Sequence, residues 1–332
     1  MKVTPSWGDF PLSVFSAEEV LPVLRYIGKR VFYMLISLWV IATLTFVMMH
    51  LAPGGPFASE KKLPPQIIAN LEAHYNLDKP LPVQYALYMK NLVMFDLGPS
   101  IKSESRDVNG ILADGFPVSA QLGLEAMAFA VLAGLIMGVI ASLRHNRLPD
   151  YTVMFLAVVG LAVPSFVLAP LFQKYFGLEW NLLPIAGWGS FEDTILPAIA
   201  LSFTPLALMT RLMRSSMLEV MSQDYIRTAR AKGLPPAKVV TRHAIRNAIL
   251  PAITIIGPLA VDIITGSFVI EKIFSIPGIG KYFVDSIFNR DYSVIMGVTI
   301  FYSALLLLVN LLVDIAYTLV DPRIKIGGRG AN

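Results

Sequence analysis

The chain contains no cysteine in its 332 residues, and it is also poor in charge. Without cysteine it has no disulfide, no thiolate nucleophile and no cysteine-ligated zinc or iron–sulfur site. Charged residues make up 15% of the sequence and hydrophobic residues 55%, whereas about a quarter of a typical soluble domain is charged. This balance indicates a protein whose solvent is largely lipid. The net charge of +4 forms no basic stripe, so nucleic acid is not an expected partner.

Sequence motifs for catalysis are missing as well. No phosphate-binding loop of the form GxxxxGK followed by Ser or Thr is present, and the nearest match, at residues 278–281, is followed by Tyr282. The four histidines lie on different segments, and neither HExxH nor GxSxG occurs. We therefore expect no catalytic, cofactor-binding or metal site in this chain.

Six stretches are long and apolar enough to cross a hydrocarbon core about 30 Å thick, which takes about 20 helical residues. They are residues 31–52, 119–143, 151–176, 194–213, 250–270 and 294–320. The first follows a basic segment, as a signal peptide would, but it is too long for one and Pro53 makes a poor cleavage site. The sequence thus predicts an all-α polytopic membrane protein with six transmembrane helices.

The positions of lysine and arginine predict the orientation. With both termini in the cytoplasm, 17 of the 27 basic residues lie inside, and 8 of those 17 fall in residues 211–249. The short outer connections and the outer end of the third span carry only four basic residues. This is the expected bias of cytoplasmic loops. We predict a multi-pass protein of the cytoplasmic membrane, embedded in the lipid bilayer.

This plan divides the chain into four regions. They are a cytoplasmic N-terminal segment (1–30), the first transmembrane helix with an extracytoplasmic region (31–118), a membrane core (119–321) and a cytoplasmic tail (322–332). Within the extracytoplasmic region, we expect one short helix before Asn76 and a second from about Pro82 to Phe95.

The cytoplasmic loop between the fourth and fifth spans is unusually long. It reads as a helix from Gln223 to Lys232, a break at residues 233–236, and a second helix from 237 to about 248. Glycine is typical at a helix C-terminus and proline in a first turn. The basic residues alone would fit an anchor against anionic lipid. The bend, and the small Ala229 and Ala231 beside the glycine, favour close contact with another protein.

This loop resembles the signature loop of the inner-membrane permease subunits of binding-protein-dependent ABC importers, in particular the oligopeptide/dipeptide/nickel group. The resemblance covers roughly residues 24–325. It is carried by Asp224-Tyr225-Ile226-Arg227-Thr228-Ala229-Arg230-Ala231-Lys232-Gly233, by residues 242–251, and by shorter matches at 53–57, 77–85, 274–280, 290–292, 313–314 and 321–323. The broad family pattern begins Glu-Ala-Ala, whereas residues 227–229 read Arg-Thr-Ala, so the role of that carboxylate is not carried over to Arg227.

The resemblance implies a type I ABC importer transmembrane domain that moves oligopeptides, with dipeptides or nickel as alternatives. It implies a second homologous permease subunit in a heterodimer, two cytoplasmic ABC ATPase subunits that bind the ATP and magnesium, and an extracytoplasmic peptide-binding protein. The loop 214–249 would then contact the ATPase. The implied coupling residues are Arg227, Thr228, Ala229, Arg230, Ala231, Lys232, Gly233 and Leu234.

Asp262 is an ionisable side chain near the middle of the fifth span. Such a group is costly in lipid and marks a pathway or a buried partner. We favour a position lining the translocation cavity over an internal bond to a neighbouring Thr or Ser. A different class, an ion-coupled secondary transporter, would need inverted repeats and a relay of carboxylates. Asp262 alone makes a thin relay, and no internal repeat is visible.

Overall fold

The computed structural model describes residues 17–52, 55–57, 64–103 and 105–320, and this part of the chain contains no strand, only one isolated bridge between Pro99 and Asp107. Its helices are α1 Ala17–Leu51, α2 Pro65–His74, α3 Leu81–Val93, α4 Val108–Leu143, α5 Leu148–Ala162, α6 Ser165–Phe172 with a π-helical turn at Gln173–Glu179, α7 Phe191–Met221, α8 Asp224–Ala231, α9 Pro236–Lys238 with a π-helical turn at Val239–Ala244, α10 Ile245–Thr254, α11 Ile256–Ile273, α12 Ile279–Asn289 and α13 Tyr292–Val320.

Four of these helices are long and apolar enough to cross a membrane as single rods: α1, α4, α7 and α13. Two further candidates are bent pairs, α5 with α6 and the α9–α10 segment with α11. Counting each bent pair as one span gives six, at the positions that the hydropathy pattern predicts. The all-α membrane fold is therefore confirmed.

The prediction of one continuous helix for the third span, residues 151–176, is wrong. The chain bends by 110° between Leu148–Ala162 and Ser165–Glu179. Val163, which precedes Pro164, has extended backbone angles (φ −100°, ψ 116°), because the proline ring excludes the helical conformation from the residue before it. The bend sits at this dipeptide. In contrast, the helix axis bends by only 45° between the segments Pro236–Thr254 and Ile256–Ile264.

Two predicted helix boundaries also need correction. The second span does not begin at 119, because α4 starts at Val108, where the side chain of Asp107 caps it by accepting a hydrogen bond from the Gly110 amide. The predicted division at 118 falls inside this helix. Likewise α7 continues to Met221, so the predicted loop 214–249 begins within a membrane helix and not after it.

Two glycines of α4 let this helix approach α7 more closely than any residue with a side chain would allow. A Cβ at Gly134 would lie 2.7 Å from Met209 Cβ, and one at Gly138 would lie 2.7 Å from Met213 Cβ and 2.8 Å from the Thr210 carbonyl oxygen. This GxxxG pair lets the two backbones touch, as small residues do in membrane helix pairs. We call this contact of α4 with α7 at Gly134 and Gly138 the seam. It packs tightly although α7 carries two internal prolines, both of which are buried.

The two short helices predicted before Asn76 and from Pro82 are present as α2 and α3. Asp291 fastens this region to the core: its carboxylate is 4% exposed and accepts hydrogen bonds from Ser100 Oγ and from the Ile101 amide at 3.1 Å. The same carboxylate accepts from the Val294 amide in the first turn of α13. One acidic residue thus caps a membrane helix and holds a loop.

On α3, two tyrosines face α1. The hydroxyl of Tyr85 shares a 2.8 Å hydrogen bond with Thr43 on α1. Burial, and then the neighbouring Tyr85, raises the pKa of Tyr88 to about 12, so its phenol stays neutral. The stacked ring of Phe46 completes this contact.

The seam generates the first prediction. Gly138→Ala forces its methyl group against Met213 and Thr210, and overpacking of this kind costs about 1–3 kcal/mol. Gly123→Ala, on the same helix, meets only Ile263 Cγ2 at 3.6 Å, which is an ordinary contact. We expect Gly138→Ala to lower the unfolding midpoint in detergent and Gly123→Ala to leave it unchanged or slightly raised. Equal midpoints for the two variants would contradict the close seam.

Candidate functional site

The predicted bend in the 211–249 loop is present and has a defined geometry. Helix α8 ends at Ala231, and Gly233 adopts a left-handed backbone (φ +75°). The Gly233 amide donates to the Arg230 carbonyl at 2.9 Å and the Leu234 amide to the Ala229 carbonyl at 3.4 Å. This pair of bonds is the Schellman arrangement that closes a helix C-terminus. The glycine is required because a Cβ is disfavoured at this φ.

We call α8 with the turn at residues 232–235 the knob. Its inner face packs on the end of α7 and on the returning helix, so it does not hang free. The buried residues of this cluster are Met213 and Met217 of α7, Ile226 and Ala229 of α8, and Val239, Ala244 and Ala248 beyond the bend. Because protein interiors are close-packed and transmit strain, a force on the knob acts directly on α7.

The eight predicted coupling residues separate into two faces. Ala229 is 6% exposed and packs inside the chain, so its small size serves the packing of α8 onto α7. That it also contacts another protein stays a prediction. Leu234 is half-buried against the same cluster. The exposed face is formed by Arg227, Thr228, Arg230, Ala231, Lys232 and Gly233.

A buried ion pair beside the knob was not found from the sequence. Arg214, on α7 between the two methionines of the knob cluster, binds Asp150 through two parallel hydrogen bonds, Nε to Oδ1 at 2.6 Å and Nη2 to Oδ2 at 2.8 Å. Asp150 lies in the first turn of α5 and its side chain is 2% exposed. The Asn146 amide and His145 also contact its carboxylate. Bidentate pairs of this kind are strong and directional, so we call this group the clamp.

The clamp joins the α4–α5 turn to the helix that carries the knob. Arg214 is also the residue whose amide nitrogen lies 3.0 Å from where a Cβ of Gly138 would be. The α4–α7 seam, the clamp and the knob cluster therefore share one short stretch of α7. Asp150 and Arg214 are 64 positions apart in the sequence, so no local pattern signals their pairing.

Asp262, the predicted pathway residue, lies on α11 and is exposed on the surface of this subunit. Its neighbour Ile263 is 2% exposed and faces the core. The side chain of Asp262 lines none of the described cavities. The structure thus places Asp262 on an exposed face of the subunit.

A second carboxylate that sequence reasoning missed is Glu271, which lies near the end of α11 and is 0% exposed. Its Oε2 accepts a hydrogen bond from the Gly280 amide at 2.7 Å. A Cβ at Gly278 would collide with this carboxylate, and one at Gly280 would come within 2.9 Å of it. The glycines of the 274–280 motif therefore make room for Glu271. Ser119 Oγ on α4 accepts from the preceding amide, that of Ile279, at 3.0 Å.

These features define a multi-pass, all-α membrane protein, with the knob at one end and a loop held by polar contacts at the other. Two family models match the chain. One, described as "Binding-protein-dependent transport system inner membrane component", matches residues 130–326. The other, the N-terminal part of such a component, matches residues 23–123. The chain belongs to this family of inner membrane components.

Curated relatives cover nearly the full length. The dipeptide transport system permease protein of Bacillus subtilis is 53% identical over 306 residues, covering 92% of this chain and 99% of the relative. The oligopeptide transport system permease protein of Escherichia coli is 46% identical over 305 residues, covering 91% and 100%. These matches confirm the resemblance that the loop motifs indicate.

A solved structure agrees with the fold at low sequence identity. The crystal structure of an amino acid ABC transporter with histidines superposes with a TM-score of 0.50 and 15% identity, and covers 65% of this chain and 95% of that one. The shared part shows the fold of an ABC importer membrane domain. The larger size of the present chain leaves about a third of it outside the superposition.

The clamp generates the second prediction. Arg214→Gln leaves the buried Asp150 carboxylate without its arginine. Breaking a buried pair costs about 3–5 kcal/mol, and because Arg214 is 22% exposed we expect a cost near the lower figure. Arg227→Gln removes a pair with Asp224 whose side chains are 74% and 96% exposed, so it should leave stability unchanged. We expect equilibrium unfolding in mixed micelles to separate the two variants.

The double variant Arg214→Gln with Asp150→Asn serves as the check on mechanism. Removing the stranded charge should recover part of the lost stability, because the penalty arises from the unpaired carboxylate. A double variant no more stable than Arg214→Gln alone would contradict this explanation.

Proposed function

We propose that this chain is a transmembrane subunit of an ATP-driven, binding-protein-dependent importer that moves oligopeptides across the cytoplasmic membrane. The observation that carries the proposal is the knob, a rigid projection packed directly onto the end of a membrane-spanning helix. Such a projection gives a cytoplasmic energy source a surface through which it can act on the membrane helices. The relatives named above are permeases for dipeptides and for oligopeptides, so peptides are the shared substrate class.

The partners follow from what one subunit lacks. Six spans are half of an importer path, so a second homologous permease subunit completes it as a heterodimer. The sequence has no phosphate-binding loop, so two ATPase subunits supply hydrolysis with their own ATP and magnesium. A peptide-binding protein delivers the substrate on the outer side. The basic bias of residues 211–249 supports an orientation with the knob and both termini in the cytoplasm.

The mechanism rests on differential contact. An ATPase can shift the permease between two conformations only if it binds them with different affinities. In this structure the exposed face of the knob, including Thr228, Ala231 and Lys232, is available for that contact. The inner face passes any displacement to α7, from there to α4 through the glycine seam, and to α5 through the clamp.

Asp262 fits the same proposal. A charged side chain at mid-span costs about 2.5–3.5 kcal/mol when it faces lipid on insertion scales. Since Asp262 is exposed on this subunit, a water-filled cavity or protein must cover it in the assembly. We propose that it faces the translocation cavity between the two permease subunits.

Reconstitution tests the importer proposal directly. The full chain is placed in liposomes with its candidate second permease, ATPase and binding-protein partners. We expect uptake of oligopeptides that requires ATP and the binding protein, with dipeptides and nickel tested in parallel as competitors. Uptake by this chain alone, driven by a proton gradient, would overturn the proposal in favour of an ion-coupled carrier.

A bulky residue on the knob tests coupling. Ala231 is exposed in the last turn of α8, whereas Ala237 is exposed in the same loop but lies outside the proposed contact residues. We expect Ala231→Trp to reduce peptide uptake at least tenfold while the chain remains folded and inserted, and Ala237→Trp to have a much smaller effect. ATP-dependent uptake unaffected by Ala231→Trp would rule out this face as the coupling surface.

A further inference from the structure

A cavity of about 440 Å³ lies between α1 and α13 at the end of the bundle that carries the N-terminal basic residues. From α1 it is lined by Lys29, Tyr33 and Ser37, which follow one another at four-residue intervals and so lie on one helix face. From α13 it is lined by Leu307 and Asp314, among others. No step of the proposed transport mechanism uses this cavity.

The depth of the cavity matches the boundary between headgroups and hydrocarbon. The apolar stretch of α1 begins directly after Arg30, so Lys29 lies at the membrane interface. The ion pair with Arg30 holds Asp314 of α13 at the same end of the cavity. Ser37 lies about 12 Å further along α1 than Lys29. On α13, Leu307 lies two turns before Asp314, at a depth similar to that of Ser37. The cavity therefore begins among polar groups and ends among apolar ones.

The charge of the cavity favours an anion. Arg30 and Asp314 form an ion pair at 3.0 Å across its edge, which cancels one positive charge and ties α1 to α13. With Lys29 included, the lining carries two basic groups and one acidic group. Tyr33 adds a hydroxyl donor one turn further in. Basic pockets between helices at the cytoplasmic surface are the sites where anionic lipid headgroups bind.

We propose that this cavity binds one anionic phospholipid, with its phosphate at Lys29 and Tyr33 and the start of an acyl chain against Leu307. The open surface of α1 supports a lipid occupant, since only 11% of its apolar window is buried within the chain. Assignment to the inner leaflet rests on the proposed orientation, whereas the binding itself does not. The lipid would hold α1 to α13 beside the Arg30–Asp314 pair.

Native mass spectrometry of the full chain in detergent tests the proposal, with phosphatidylglycerol and phosphatidylcholine of identical acyl chains as probes. We expect phosphatidylglycerol to bind more tightly than phosphatidylcholine. Lys29→Gln should weaken phosphatidylglycerol binding about five-fold, the effect of one basic residue at an anionic surface. Arg25→Gln is the matched control, because Arg25 lies one turn earlier on the same helix, is exposed and does not line the cavity.

Three results would overturn the proposal. Equal losses for Lys29→Gln and Arg25→Gln would show attraction to the basic segment as a whole. Displacement of the lipid by inorganic phosphate at equal concentration would show a small-anion site. Loss of the bound lipid when the second permease subunit is added would show that α1 and α13 form a protein interface at this place. Transport activity is not the readout, so failure here is distinct from failure of the proposed importer function.

Discussion

The contact on which the rest of this structure depends is the approach of α4 to α7 at Gly134 and Gly138. In lipid, helices gain little from hiding apolar surface, so their association relies on close packing. Here the absence of two Cβ atoms lets Met209 and Met213 of α7 lie against the backbone of α4. Helices α4 and α7 thereby form one rigid unit, and the other helices are arranged around it.

That unit has polar attachments at both ends. At one end Arg214 holds Asp150, and the cluster around Met217 and Ile226 holds the knob. At the other end Ser119 on α4 binds the loop that encloses Glu271. The Asp150 carboxylate and the Ser119 hydroxyl each accept a hydrogen bond from another segment of the chain. In the proposed mechanism, a displacement of the knob reaches the seam before it reaches the loop around Glu271.

Much of this could be predicted from the sequence, because the relevant signals are local. Each of these features is encoded in one continuous stretch of sequence. They are the six apolar spans, the bend at Gly233 and the two short helices α2 and α3. The 110° break at Pro164 had its signal in the X-Pro dipeptide, but hydropathy alone cannot distinguish a bent span from a straight one. The Asp150–Arg214 and Glu271–Gly280 contacts depend on the fold. The inward direction of Ala229 depends on where α7 ends, and no local pattern specifies that.

The most direct test of this account is a distance between the knob and α4 in the working importer. The chain has no cysteine, so one spin label can be placed at Gln223→Cys, which is exposed at the start of α8 and lies outside the proposed contact residues. The second can be placed at Ile136→Cys on α4, where Ile136 is 59% exposed. In an importer that takes up peptide, the account predicts one narrow distance distribution that is the same with and without ATP, because the two sites belong to one body. A shift or broadening of that distribution on ATP binding would contradict it.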